Sequence, residues 1–211
     1  MFKKVLITGA AGFIGSHLTN KLLLEGKTVI GLDNFDNFYD RRIKEANIEF
    51  ALSHNDFKLI DGDIRDKKIL NDIFSGNDIG LVIHLAAKAG VRPSILKPEL
   101  YYDVNVNGTL IILETMKQNG TKKLIFASSS SVYGNNNKVP FSENDNTDFQ
   151  ISPYAVTKKA CELINYTYHK LYNFDIYNLR FFTVYGPRQR PDLAITKFTD
   201  LILKGKPIPV Y

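Results

Sequence analysis

The stretch "TGAAGFIG", Thr8 to Gly15, constrains the fold more than any other part of the chain. It follows a short apolar run, "KKVLIT", and leads into a helix-like segment, so it reads as a strand-to-helix turn. Gly9 suits the tight bend, Gly12 lets the backbone approach a pyrophosphate, and Gly15 lets the helix pack on the strand. A helix that starts there aims its N-terminal N–H groups and positive dipole end at phosphates. The next apolar run, "KTVIGL", is followed by Asp33, near the ~20-residue offset expected for a carboxylate on the adenosine ribose hydroxyls. A carboxylate at that place repels a 2′-phosphate, which favours NAD over NADP. Arg41 and Arg42 lie farther along, beyond "NFDNFYD", which reads as a loop.

The same alternation continues along the chain. Apolar runs at "FKLID", "IGLVIHLA", "KKLIFASS" and "FDIYNLRFF" are separated by helix-like stretches such as "DKKILNDIFS", "NVNGTLIILETMKQNG" and "SPYAVTKKACELINYTYHKLYN". The runs are continuously apolar, as in a sheet covered on both faces. Repeated strand–helix–strand units predict an α/β fold with a doubly wound parallel sheet. "NNN" at Asn135 to Asn137 is a loop. "LILKGKPIPVY" closes a helix at Gly205 and begins what reads as a strand, so a chain cut short is expected.

Composition narrows the class. The 211 residues are 44% hydrophobic and 23% charged, ordinary for a water-soluble globular domain. No segment approaches the ~18 apolar residues of a membrane span, and the N-terminal run is a strand and turn, not a signal peptide. The single cysteine, Cys161, excludes an internal disulfide and fits a reducing cytoplasm. Net charge is +5, but the lysines are scattered, so nucleic acid is not the expected partner. The densest basic run, "GPRQRPD", reads either as a loop that meets a small anion or as a solvated loop. Scattered histidines and one cysteine leave no metal-ligand pattern.

Further positions belong to the nucleotide end. After the third strand, Asp63 and Ile64 in "DGDIRD" are placed to hold the adenine amine and cover its ring. After the fourth, small Ala86 and Ala87 let a cofactor pass close, with Lys88 in reach of a ribose or phosphate. Phe13, Ile14, Asn34 and Leu85 are assigned to the cofactor with them. His84 and His17 read as satisfied core histidines, and Cys161 as a packing residue. Tyr166, Tyr168 and Tyr172 read as core or interface aromatics.

The chemical end is "ASSSSVYG" with "SPYAVTKK". Serines at the carboxyl end of a parallel strand lie where such sheets bind ligands. Tyr154 and Lys158 stand one helical turn apart on the next helix. Free tyrosine ionises near pH ~10, and a neighbouring ammonium together with an oxidised nicotinamide favours the phenolate, which makes a usable base. A serine then orients the substrate oxygen.

Together "TGAAGFIG", Asp33, "DGDIRD", "HLAA", "SSSSVYG" and "YAVTK" resemble the extended short-chain dehydrogenase/reductase superfamily, over essentially the whole chain. "AGVRPSILKP", "NLRFFTVYGPRQRPDLAITKF" and the "DNFDNFYDRRIKEANI" loop look most like UDP-glucuronate 4-epimerases and related UDP-glucose 4-epimerases. The resemblance implies a Rossmann-type NAD-binding domain over residues 1–185, and over 186–211 the start of a substrate domain that is largely missing. It implies catalytic Ser129, Tyr154 and Lys158, with Ser128 and Ser130 left open within the serine run. Tyr154 and Lys158 also meet the cofactor. Val91, Arg92, Ser129, Ser130, Thr183, Arg188 and Arg190 are implied as substrate contacts. A homodimer is implied through the helices around Asn105 to Lys117 and Pro153 to Leu171. Family 4,6-dehydratases carry an Asp-Glu pair where this chain has Ser130 and Ser131, which leaves water elimination without proton carriers. The expected activity is therefore redox-neutral 4-epimerisation of a UDP-sugar, with the sugar unfixed. The competing expectations are a nucleotide-binding module without turnover and a net nucleotide-sugar dehydrogenase.

Overall fold

The computed structural model describes residues 4–209. Strands and helices alternate: β1 (Lys4–Thr8), α1 (Phe13–Leu24), β2 (Thr28–Asp33), α2 (Arg41–Leu52), β3 (Phe57–Asp61), α3 (Lys67–Ser75) and β4 (Ile79–His84). Two short helices follow, α4 (Val91–Leu96) and α5 (Pro98–Tyr101), and a π-helical turn (Tyr102–Asn107) leads into α6 (Gly108–Gln118). Then come β5 (Lys123–Ser129), a 3₁₀ turn (Ser130–Tyr133), α7 (Pro153–Tyr172), β6 (Asp175–Phe181) and α8 (Ala194–Leu203). Among the described residues no helix is long and apolar enough to cross a membrane.

The strands form one six-stranded parallel sheet in the order β3-β2-β1-β4-β5-β6. The order reverses at β1, whose Thr8 lies opposite Leu32 of β2 and His84 of β4. This is the Rossmann arrangement, and its ligand crevice lies beyond the carboxyl ends of β1 and β4.

Side-chain alternation divides the core between the two faces. Val5, Ile7, Val29, Leu81 and Ile83 pack with Leu23 of α1 and with Ile48 and Ala51 of α2. Leu6, Ile30, Leu32, Val82 and Phe126 pack with α3, α6 and α7 through Leu70, Ile73, Ile112, Leu113, Met116 and Cys161. A fully buried side chain of this size contributes about 1.5–3 kcal/mol relative to exposure.

Polar caps set where helices begin. Asp40 accepts from the Arg42 N–H at 2.9 Å to open α2, and Asp66 accepts from Lys68 and Ile69 to open α3. Ser152 accepts from the Ala155 N–H at 3.2 Å, and Pro153 takes the first helical position of α7, where no N–H is needed.

Three expectations are corrected here. Half of the "DNFDNFYDRRIKEANI" segment is helix α2, not loop, because Asp40 caps it and Ile48 and Ala51 give it a buried face. The two-sided cover holds for the central strands but not for β6, where Tyr177 and Leu179 are exposed along the sheet edge. After Gly205, residues 206–209 pair with no strand, and Val210 and Tyr211 lie outside the described residues.

Candidate functional site

The crevice is a cleft of about 500 Å³. The glycine turn, the ends of β2 and β4, the serine run, and Tyr154 and Lys158 of α7 all line it. Gly9 sits at φ +73, and a Cβ there would lie 2.8 Å from the Ala86 nitrogen. A Cβ on Gly15 would lie 2.1 Å from the Gly9 carbonyl oxygen, so neither position tolerates a side chain without moving backbone. Gly12 begins α1 with no side-chain cap, which leaves the first-turn N–H groups, near Phe13 and Ile14, for an anion.

Asp33 closes β2 against this turn. Its carboxylate accepts from the Ala11 N–H at 3.0 Å and the Phe35 N–H at 2.9 Å. Burial pushes its carboxyl above the usual range, and the Phe35 N–H, the Lys44 ammonium and the Ala11 N–H work against that. Lys44, on α2, is itself pushed down by burial, and it donates to the Asp36 carbonyl at 2.7 Å. Lys44 and Asp36 both line the cleft, and the sequence reading missed both. They lie in a segment that reads as loop, because the buried face of α2 is narrow and half polar.

The other cofactor positions divide. Asn34, Ile64, Leu85, Ala86, Ala87 and Lys88 line the cleft. Lys88 donates to Asp36 at 2.7 Å. Asp63 is not among the lining residues. Arg65 donates to both of its oxygens at 2.8 Å, and Asn34 donates to one at 2.8 Å. Arg65 holds the Asp63 carboxyl down to about 2. The carboxylate expected on the adenine amine also holds Arg65 and Asn34.

Tyr154, Lys158 and all four serines reach the cleft. Lys158 is buried, and its ammonium donates to the Ala127 carbonyl at 2.6 Å, which fixes α7 to the end of β5. The Tyr154 ring meets Tyr101 edge to face at 6.3 Å. The serines differ in their commitments. Ser128 Oγ donates to the buried Glu162 carboxylate at 2.5 Å. Ser129 Oγ accepts from the Ser131 N–H at 3.1 Å and caps the 3₁₀ turn. Asn105, also unread in the sequence, joins the two halves. Its amide accepts from the Lys88 N–H at 2.8 Å and donates to the Lys88 carbonyl and to Thr157 of α7, each at 3.0 Å.

Of the expected substrate contacts, Val91, Ser129, Ser130, Thr183 and Arg190 line the cleft, whereas Arg92 and Arg188 do not. Arg190 lies 5.0 Å over the Phe38 ring and donates to both oxygens of Asp192 at 3.0 and 2.9 Å. Arg188 stands at φ +66, with its guanidinium 3.2 Å from the Asn20 amide of α1. Arg190 thus lines the cleft while paired with Asp192, and Arg188 lies against α1.

His84 is a buried core histidine, and Cys161 is buried with its thiol 3.3 Å from the Asn105 carbonyl. His17 is not a core residue: it is exposed on α1 and contacts the Pro187 carbonyl at 2.9 Å. Tyr168 is buried, while Tyr166 and Tyr172 stay exposed.

A family description, GDP-mannose 4,6 dehydratase, matches residues 6–208. The chain belongs to this family. Within reach of it, the chain is 49% identical over 208 residues to UDP-glucuronate 4-epimerase 1 of Arabidopsis thaliana, covering 98% of this chain and 48% of that protein. It is 47% identical to UDP-glucuronate 4-epimerase of Thermodesulfobacterium geofontis, covering 98% and 64%. Its structure resembles UDP-glucuronic acid 4-epimerase from Bacillus cereus, solved with UDP-glucuronic acid and NAD, with a TM-score of 0.92 and 39% identity. That match covers 99% of this chain and 65% of the solved one. The chain thus spans about half to two thirds of the length of these family members.

Proposed function

We propose that the protein containing these residues is an NAD-dependent 4-epimerase of a UDP-sugar, UDP-glucuronate or UDP-glucose. One observation carries the reading: the glycine cradle with Asp33 and the trio Ser129, Tyr154 and Lys158 line a single cleft. The cradle suits NAD because Gly9 and Gly15 leave no space for a Cβ and α1 presents uncapped N–H groups. Asp33 supplies an acceptor for ribose hydroxyls. Held there, NAD would supply the hydride acceptor and donor for sugar C4.

The side chains supply the rest. Tyr154 Oη removes the proton from the sugar O4 and gives it back after the 4-keto sugar has turned over. Lys158, one helical turn from Tyr154 and held by the Ala127 carbonyl, is assigned the positive charge that favours the phenolate. Ser129 orients O4 through its hydroxyl. Ser128 is tied to Glu162 and is the poorer candidate for that role. Ser130 and Ser131 stand where elimination would need an acid and a base, which favours epimerisation over dehydration. Val91, Thr183 and Arg190 are assigned to the substrate. Residues 1–185 are assigned to the nucleotide, and residues from 186 onward to the sugar side. A homodimer through α6 and α7 belongs to the same proposal, supported by exposed Leu110, Leu163, Tyr166 and Leu171.

Tyr154→Phe tests the mechanism. It should abolish epimer exchange, by at least ~1,000-fold, while NAD affinity stays within a few-fold. Exchange at near wild-type rate would overturn the assignment of the base.

A further inference from the structure

His84 is 1% exposed, and the proposed chemistry does not use it. Its ring nitrogens meet different partners. Nδ1 lies 2.7 Å from Thr8 Oγ1, and Nε2 lies 3.1 Å from Thr109 Oγ1. The neighbours fix the direction of every proton. Thr109 Oγ1 is 2.6 Å from the Asn105 carbonyl, which only accepts, so the Thr109 proton is committed there. Thr109 must then accept from His84, and Nε2 carries the hydrogen. Thr8 Oγ1 accepts the Ala86 N–H at 3.2 Å, which leaves its own proton for Nδ1. In this tautomer the Thr8, His84 and Thr109 protons each find an acceptor, and the Cys161 thiol, 3.3 Å from the Asn105 carbonyl, shares that acceptor.

The seam that this chain reaches has no slack. The Leu85 N–H donates to the Thr8 carbonyl at 3.1 Å, and the space beside Gly9 is closed by Ala86. Gly9, Leu85 and Ala86 all line the cleft. At its other end the chain reaches Asn105, which holds Lys88 and Thr157.

We propose that His84, as the neutral Nε2–H tautomer, is a positioning residue for the dinucleotide. Nδ1 holds the Thr8 hydroxyl against the Ala86 amide and fixes the Gly9–Ala86 seam, while Nε2, through Thr109 of α6, anchors that seam to Asn105 in the π-helical turn. The inference rests on the reading of this cleft as an NAD site.

Two substitutions separate the two ends of the ring. In His84→Asn the amide oxygen falls near Nδ1 and keeps the Thr8 contact. In His84→Gln the amide falls near Nε2 and keeps only the Thr109 contact. Thermal midpoints and NAD dissociation constants by titration calorimetry are measured for both. The expected result is a similar loss of midpoint in each. NAD binding should be about tenfold weaker in the Gln variant than in the Asn variant, ~1.4 kcal/mol. Equal NAD affinities in the two variants would overturn the positioning role and leave His84 as a packing residue. Wild-type protein that binds no NAD would overturn the cleft reading itself. Should either variant fail to fold, nitrogen NMR of the wild-type His84 ring decides. The proposal requires a protonated Nε2 and a bare Nδ1, and the opposite tautomer contradicts it.

Discussion

Arg180→Met should destabilise the protein by about 3 kcal/mol. Arg180 on β6 donates through Nε and Nη2 to the two oxygens of Glu162 on α7, at 3.0 and 2.9 Å. The two side chains are 18% and 9% exposed. Ser128 donates to the same carboxylate, and the guanidinium lies 5.0 Å over the Tyr133 ring. Removing the arginine leaves a buried carboxylate with one neutral donor. Breaking a buried pair from one side costs roughly 3–5 kcal/mol, and the residual exposure of Arg180 puts this case at the low end. At ~2–4 °C per kcal/mol for a chain of this size, the midpoint falls by ~6–12 °C. Urea unfolding followed by circular dichroism should show the lower midpoint with an unchanged slope. The double variant Arg180→Met/Glu162→Leu removes both charges and should recover at least about half of the loss. A single-variant cost below ~1 kcal/mol would refute the reasoning, as would a double variant no more stable than the single.

Gly15→Ala should weaken NAD binding at least ~tenfold by calorimetry, since its Cβ would press on the Gly9 carbonyl from 2.1 Å. Ser129→Ala should lower the epimerisation rate while its lost cap costs only about 1 kcal/mol of stability, whereas Ser128→Ala should lower the midpoint further by loosening Glu162. Asp63, held down to about 2 by Arg65, contributes stability above the unfolded carboxyl value of ~3.9 and loses it as pH falls toward 2. Urea midpoints of wild type and Asp63→Asn should therefore differ near neutrality and converge between pH ~4 and ~2. Burial, with the Lys158 ammonium second, pushes the His84 ring down to about 3, so the unfolded chain binds a proton there that the folded chain does not. Wild-type stability should fall from pH ~6.5 toward 3 with a limiting slope of ~1.4 kcal/mol per unit from this residue, and His84→Gln should lack that component.

The fold was legible because the turn at Gly9–Gly15 and the central apolar strands each state their own geometry. A buried parallel strand must be apolar on both faces, and β1, β2 and β4 are. The shared face of Tyr154 and Lys158 was legible because they are neighbours along a helix, and the glycine turn because it is local. What stayed hidden was long-range. Nothing in the order of residues says that Lys88 will take Asp36, that Asn105 will bridge Lys88 to Thr157, or that Ser128 will face Glu162. Such pairs are set by packing between elements far apart in sequence. Helix α2 was missed for a different reason: its buried face is narrow, carried by Lys44, Asn47, Ile48 and Ala51, two of them polar. Arg190 lines the cleft and pairs with Asp192, whereas Arg188 lies outside it against Asn20, a difference that the local sequence does not state.

The most direct test of the central claim is a product assay on the protein encoded by the whole reading frame that contains these residues. The protein is loaded with NAD, offered UDP-glucuronate and UDP-glucose separately, and the sugar C4 proton is followed by NMR. The account predicts a 4-epimer from one of them, with no build-up of reduced cofactor. A product lacking water, or reduced cofactor accumulating in step with an oxidised sugar, would contradict it.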